Sequence, residues 1–179
     1  RIPCEFSYTY YCCDPKKYCY ACKISTQYIP EDKNVALFDG THVANKGSAL
    51  TNAYVHGVIF DNSIIPRIPY GLNSKFVNMV SLVLNHCKLK ILEKSDLRGM
   101  EKLTRLDLAH NELKYLPGDL FFYTRGLTKI SFANNQLTSI DNELLDCLNS
   151  EIWHFVSFQS NPCISIVFEG NANEFFDFK

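Results

Sequence analysis

The residues best able to do chemistry in this chain are histidines and charged groups that recur at a fixed spacing. His86 and His110 occupy the same position in successive units of a repeat, and Asp107 lies shortly before the second of them. Two imidazoles near a carboxylate could share a metal ion or form a pH-sensitive pair. The alternative is two solvated imidazoles on a polar surface, and it is the interpretation we favour. The sequence therefore predicts no metal site and no cofactor.

Eight cysteines form the second reactive group, and five of them lie before Lys23. Such clustering is typical of a disulfide-bonded segment of a protein from the secretory pathway. Adjacent cysteines 12 and 13 are not expected to pair with each other, so one thiol is left over, either unpaired or free for an intermolecular disulfide. Zinc bound through the C-x-x-C that begins at Cys19 is a weaker alternative, because no second ligand pair follows. The disulfide candidates are Cys4, Cys12, Cys13, Cys19, Cys22, and Cys147 paired with Cys163.

Charge and motif content exclude several classes of function. The chain has 18 basic and 19 acidic residues, interspersed, and no basic block that would indicate a nucleic-acid partner. Its apolar runs are too short to span a membrane. It has no G-x-S-x-G, no H-E-x-x-H and no glycine-rich phosphate loop, so we expect no enzymatic activity. It starts at Arg1 without Met, as a mature secreted form would after loss of a signal peptide.

A regular repeat must position these side chains. From unit starts at Val55, Met79, Leu103 and Leu127, the positions at offsets 0, 3, 5, 10 and 13 are apolar in every unit, and a fifth unit follows at Trp153 after a two-residue slip. Offsets 3 and 5 alternate as a strand does, which argues against an amphipathic helix. With offset 8 the pattern is the L-x-x-L-x-L-x-x-N/C-x-L of a leucine-rich repeat. We predict an α/β solenoid, a leucine-rich-repeat horseshoe with short parallel strands on its concave face.

Offset 8 should hold the inward polar side chain that bonds the backbone of neighbouring turns. It is occupied by Ser63, Cys87, Asn111, Asn135 and Asn161. Ser63 and Cys87 can make fewer such bonds than asparagine, so the first two turns should be tied less firmly. Apolar pairs near offset 17 indicate a convex turn or a short 3₁₀ element.

The chain should divide into a Cys- and Tyr-rich, disulfide-bonded N-terminal cap (1–50), about five repeats (51–163) and a short C-terminal cap (164–179). We expect cap strands at Val35–Phe38 and Thr41–Val43, and an edge strand at Ile164–Phe168. The phenylalanines near the C-terminus either fold over the last coil or form an apolar contact surface.

The concave face is the predicted binding surface, because side chains at offsets 1, 2, 4, 6 and 7 should point outward there. It changes from apolar in the first repeats to polar and basic in the middle. The candidate ligand-binding residues are His86, His110, Asp107, Arg105, Lys129, Val83, Asn134 and His154.

Several segments resemble secreted insect leucine-rich-repeat proteins, among them the leucine-rich-repeat immune proteins of mosquito haemolymph. The resemblance rests on the Cys- and Tyr-rich beginning, Phe38–His42, Val55–Ser63 and Ile68-Pro69. It implies a secreted, extracellular, non-catalytic recognition protein of innate immunity that binds a protein or a microbial surface component. A complement-like protein and a disulfide-linked dimer partner are the candidate partners that it implies. The alternative is a structural or self-assembling extracellular protein linked by an intermolecular disulfide.

Overall fold

The computed structural model describes residues 2–14, 17–25, 28–29, 38–40, 42, 44–45, 48–144 and 154–169. Its secondary structure consists mainly of short strands, as a short repeating unit requires. The strands are β1 (Ile2–Pro3), β2 (Glu5–Asp14), β3 (Lys17–Ser25), β4 (Phe38–Asp39), β5 (Ala44–Asn45), β6 (Ser48–Ala49), β7 (Gly57–Asp61), β8 (Ser81–Asn85), β9 (Arg105–Asp107), β10 (Tyr115–Leu116), β11 (Lys129–Ser131), β12 (Ser139–Ile140), β13 (Phe155–Ser157) and β14 (Val167–Glu169).

One sheet runs through the whole described solenoid, in the order β14-β13-β11-β9-β8-β7-β3-β2. The strands from β3 to β13 are parallel, and those from β7 to β11 pair at the repeat interval, so that Val58 lies beside Leu82 and Leu82 beside Leu106. Between β11 and β13 the register joins Ile130 to Val156, a longer interval that accommodates the slip before the fifth unit. The predicted repeat, its slip and its parallel sheet are confirmed.

The core is a stack of the predicted apolar positions. Of the twenty positions in the first four repeats, all but Ile140 are buried, and Ile140 packs against the core cluster. Each coil alone would leave one side of these side chains exposed, so stacking supplies most of the burial. A Leu→Ala change at such a site costs about 2–5 kcal/mol.

The predicted asparagine ladder ties one coil to the next. The Asn111 Oδ1 atom accepts hydrogen bonds from the N–H groups of Cys87 and Leu89, both at 3.0 Å. Its Nδ2 donates to Leu84 O at 2.6 Å and to Leu108 O at 3.0 Å. The side chains of Asn135 and Asn161 make similar bonds one and two coils further on, with one N–H group donating to each Oδ1 atom.

The ladder is weaker in the first two coils, as predicted. The Ser63 hydroxyl is 3.4 Å from both Ile24 O and Asp61 O. The Cys87 thiol donates weakly to Asn85 O at 3.2 Å. Because it is desolvated, the pKa of Cys87 is raised to about 12, and it remains a neutral thiol at physiological pH.

The N-terminal segment is disulfide-bonded, as expected, through Cys4 and Cys22. Cys19 is also in a disulfide, whereas the side chains of Cys12 and Cys13 lie outside those described. The segment adds two strands to the repeat sheet, because β3 pairs in parallel with β7 and β2 pairs antiparallel with β3. Of the two further cap strands predicted, residues 35–37, 41 and 43 lie outside the described part.

A partly buried polar chain fixes the cap against the first coil. The Tyr20 hydroxyl is 3.0 Å from His42 Nδ1, and His42 Nε2 is 3.1 Å from Asn52 Oδ1. In a neutral imidazole, Nε2–H donates to the amide oxygen, and Nδ1 therefore accepts from Tyr20. The ring of Phe6 stacks on His42 with centroids 3.8 Å apart.

Short helical turns cross the convex side opposite the sheet, where the offset-17 pairs predicted them. They include α1 (Leu72–Lys75) and the 3₁₀ helix Lys94–Leu97, and Leu72 and Leu97 are fully buried. Another 3₁₀ helix, Asn52–Tyr54, precedes β7.

The C-terminal end differs from the prediction at Cys163. This thiol is free and exposed, so the disulfide proposed between Cys147 and Cys163 is not formed, and Cys163 is not a core residue. After Asn161 the chain turns back as β14, antiparallel to β13, and within the described residues no further coil covers the thiol. β14 corresponds to the predicted edge strand, shifted toward the C-terminus. Cys147, Trp153 and residues 170–179 lie outside the described residues.

Candidate functional site: the concave face

The concave face is built from rows of side chains that the parallel register places side by side. One row contains Arg105, Lys129 and Phe155, and another contains Asp107, Ser131 and Ser157. Neighbouring members of a row stand about 4.8 Å apart along the hydrogen-bonding direction. The two predicted cations, Arg105 and Lys129, are therefore neighbours on adjacent strands.

Arg105 and Asp107 are paired on the same strand. The guanidinium Nη2 of Arg105 lies 3.2 Å from Asp107 Oδ2, and the other carboxylate oxygen accepts from Ala109 N at 3.3 Å. Both side chains are partly exposed, so the pair contributes little stability and remains open to a ligand. Of the two neighbouring cations, Lys129 has no carboxylate partner in the described part of the chain.

His86 and His110 are brought together, but not as strand residues. Their φ angles are 56° and 57°, and Asn62, Asn134 and Ser160 at the same offset are also left-handed. Each therefore forms the turn that ends a strand, a position that asparagine and histidine tolerate better than most residues. Asn134 lies on the exposed side of this turn, one coil beyond His110.

The two imidazole rings stack, with centroids 4.2 Å apart and an interplanar angle of 15°. Ring-nitrogen lone pairs lie in the ring plane, so nearly parallel rings do not direct them at a common metal ion. Among the described residues, no group of three or more His, Cys, Asp or Glu side chains is arranged to hold a metal. The pair supplies a flat polar surface at one end of the strands.

The other two predicted residues lie apart from this pair. His154 is exposed and precedes β13, at the opposite ends of the strands from the stacked histidines. Val83 is 6% exposed and belongs to a cavity at the N-terminal end of the face.

This cavity, of about 350 Å³, was not foreseen from the sequence. It lies between the N-terminal hairpin, formed by β2 and β3, and the first two coils, and its size falls within the range of ligand pockets. Its lining residues are Ser7, Thr9, Ala21, Lys23, Ile59, Phe60, Asp61, Val83 and Asn85.

The cavity exists because the hairpin bends over the concave face. In a flat sheet, strands three places apart would be separated by about 14 Å. Cα atoms of β2 nevertheless lie within 8 Å of Cα atoms of β8. The floor is apolar at Ala21, Ile59 and Val83, while Lys23 Nζ and Asp61 Oδ2 form an ion pair at 3.2 Å.

One feature of the sequence could have shown that β3 extends the repeat sheet beside the cavity. Lys23 and Ser25 alternate with the buried residues Cys22 and Ile24, so β3 repeats the inward-outward pattern of the repeat strands. Nothing in the spacing shows that this strand pairs with β7, because the interval between the two is longer than that of the repeat.

Comparison with known proteins agrees with this geometry. A family model described as "Leucine rich repeat" matches residues 101–150. The chain has the leucine-rich-repeat fold. No curated protein sequence matches it at a significant level.

Solved leucine-rich-repeat structures have a similar backbone at low sequence identity. A chain of the Drosophila Toll–Spatzle complex is 23% identical, with a TM-score of 0.56 over 62% of this chain. The APL1 leucine-rich-repeat domain is 20% identical, with a TM-score of 0.52 over 78% of this chain. The LRIM1/APL1C complex gives 19% identity and a TM-score of 0.53 over 90% of this chain.

This leucine-rich-repeat chain spans only part of those proteins. It covers 14% of the Toll-complex chain, 41% of the APL1 chain and 31% of the chain from the LRIM1/APL1C complex. At these identities the likeness establishes the fold. No helix among the described residues has the length and apolar character needed to cross a membrane.

Proposed function

We propose that this chain is an extracellular, non-catalytic recognition module that binds a protein partner on its concave face. The observation that carries the proposal is the face itself. It combines partly exposed polar rows, two adjacent cations and a partly apolar cavity of about 350 Å³ at one end. An apolar recess beside polar groups suits an interface in which one buried anchor is surrounded by hydrogen-bonding contacts.

Two further observations support the wider setting. The Cys4–Cys22 disulfide favours an oxidising, extracellular compartment. The Toll–Spatzle and LRIM1/APL1C structures are complexes, and in each of them one chain has a backbone similar to that of this protein. On this basis we propose a role in innate immunity of the insect type, with a complement-like protein as one candidate partner.

The test is capture from the source fluid under non-reducing conditions, followed by identification of what is bound. Lys129→Glu reverses a charge on the concave face, and Lys114→Glu makes the same reversal away from it, as a matched control. We expect the concave variant to capture at least tenfold less partner than the wild type, and the control to be within twofold. Equal capture by all three proteins would rule out the concave face as the binding site.

A second candidate is a self-assembling extracellular protein linked by an intermolecular disulfide. The exposed, unpaired Cys163 at the end of the solenoid favours it. Light scattering with and without reductant separates the two functions. Reductant-sensitive oligomers of wild type that are lost in Cys163→Ser would support assembly, and a reductant-insensitive monomer would refute it.

A further inference from the structure

The convex side carries a group of three cations and two aromatic rings, one of them exposed, that lies apart from the concave face. We name it the convex cluster: Lys94, Arg98, Phe122, Tyr123 and Arg125. The Phe122 and Tyr123 rings meet edge to face with centroids 4.9 Å apart. These residues come from two successive coils, so the repeat register assembles the cluster.

Three cations surround the two rings. Lys94 Nζ lies 5.8 Å and the Arg125 guanidinium carbon 5.7 Å from the Phe122 centroid. The Arg98 guanidinium carbon lies 5.5 Å from the Tyr123 centroid, and its Nη2 donates to the Tyr123 hydroxyl at 3.2 Å. Cation–π contacts of this kind hold the guanidinium groups in place while leaving their remaining N–H donors available.

The charges in the cluster are unequally compensated. Lys94 is paired with Asp119 at 2.5 Å. In the part of the chain that the structure describes, neither Arg98 nor Arg125 forms an ion pair with a carboxylate. Phe122 is 55% exposed, although the preceding Phe121 is buried in the core. The cluster thus presents two guanidinium groups without a carboxylate partner, Arg125 beside the exposed Phe122 ring and Arg98 beside the adjoining Tyr123 ring.

Planar guanidinium groups bind carboxylates with two parallel hydrogen bonds, and an exposed ring favours an apolar neighbour. A long polyanion fits less well, because the segment from Lys90 to Arg125 holds nearly as many acidic as basic residues, which would largely cancel its attraction. We propose that the convex cluster binds an acidic peptide segment of a protein partner. Its carboxylates contact Arg98 and Arg125, and an apolar side chain packs on Phe122.

The experiment is an NMR titration of the intact, oxidised protein with the capped hexapeptide Glu-Leu-Glu-Glu-Leu-Glu. We expect saturable shifts of the amide resonances of residues 94–98 and 122–125. The neutral analogue Gln-Leu-Gln-Gln-Leu-Gln should bind at least tenfold more weakly. Equal binding of the two peptides, or no shift at about 1 mM acidic peptide, would overturn the proposal.

Paired variants separate a built site from general charge attraction. Arg98→Gln with Arg125→Gln should weaken the acidic peptide at least tenfold. Lys90→Gln with Lys114→Gln removes the same charge from the flank of the solenoid, and should change the affinity less than twofold. Phe122→Ser should weaken binding several-fold, while all variants keep the wild-type thermal midpoint within a few degrees. Equal loss in the two double variants would refute the site.

Two other anionic ligands, heparin and phosphatidylserine vesicles, are tested against the peptide. Heparin or phosphatidylserine vesicles that bind through the same residues more tightly than the peptide would overturn the peptide assignment. These experiments do not measure binding to the concave face, so a negative result for the convex cluster would leave the proposed function unaffected.

Discussion

Replacing Asn111 by alanine tests the asparagine ladder, because among Asn111, Asn135 and Asn161 this side chain makes the most hydrogen bonds to the backbone. The change removes the acceptor for the buried N–H groups of Cys87 and Leu89, and the 2.6 Å donor to Leu84 O. A buried polar group left without a partner costs about 1–3 kcal/mol. The Nδ2 group also donates to Leu108 O and Ala109 O, so five backbone groups lose a bond. Because water can enter part of the space and replace some of these bonds, we expect the free energy of unfolding to fall by about 3–5 kcal/mol.

Ser63→Ala is the matched comparison at the same repeat offset. Its hydroxyl is 3.4 Å from each of its two backbone acceptors and has one proton to donate, so we expect a loss of about 1 kcal/mol. Glu112→Ala controls for the neighbourhood, because its closest cation, Lys90 Nζ, is 3.9 Å away.

Urea unfolding followed by circular dichroism, with the disulfides intact, measures all three changes. Similar losses for Asn111→Ala and Ser63→Ala, or a loss below about 1 kcal/mol for Asn111→Ala, would refute the view that the side chain supplies bonds the coil cannot replace.

Three more outcomes follow from particular contacts. Iodoacetamide should label Cys163 in the native protein and Cys87 only after unfolding, because Cys163 is exposed while the buried Cys87 has its pKa raised to about 12. Peptide mass spectrometry distinguishes the two labelled sites, and rapid labelling of Cys87 in the native protein would contradict this expectation. Since the pKa of Cys87 is raised above its ordinary value of 9, the stability contribution of this thiol is complete below pH 9 and is lost as the pH rises toward 12. In urea unfolding at increasing pH, the free energy of unfolding should therefore fall less steeply for Cys87→Ala than for the wild type, and parallel curves would contradict this expectation. Tyr20→Phe should lower the free energy of unfolding by about 1–2 kcal/mol by removing the hydroxyl bonded to His42, and denaturant unfolding that shows no change would exclude a structural role for the Tyr20–His42–Asn52 chain.

The repeat coils were predictable because one periodic pattern determines both their pairing and their burial. Leu82, Leu106 and Ile130 recur at the repeat interval, and the same spacing places them in register and in the core. Asn111 was predictable for a similar reason, since a buried amide can satisfy donors and acceptors of two coils at once.

Other features depend on contacts that no local pattern encodes. The cavity arises where β2 bends toward β8, a strand distant in sequence and related to it by no repeat spacing. The stacking of His86 on His110 depends on the left-handed turn at offset 7, which the strand-like pattern concealed. Cys163 follows the apolar spacing but is exposed, because burial at that offset needs a following coil, whereas the described chain turns back there as β14.

The central claim is that the concave face is the recognition surface. The most direct measurement is hydrogen exchange, followed by mass spectrometry, on the complex with the captured partner. We predict slower exchange in peptides that contain β7 and β8 and in the N-terminal hairpin that encloses the cavity, with α1 on the convex side unchanged. Protection confined to the convex turns, with the strands and the hairpin exchanging as in the free protein, would contradict the claim.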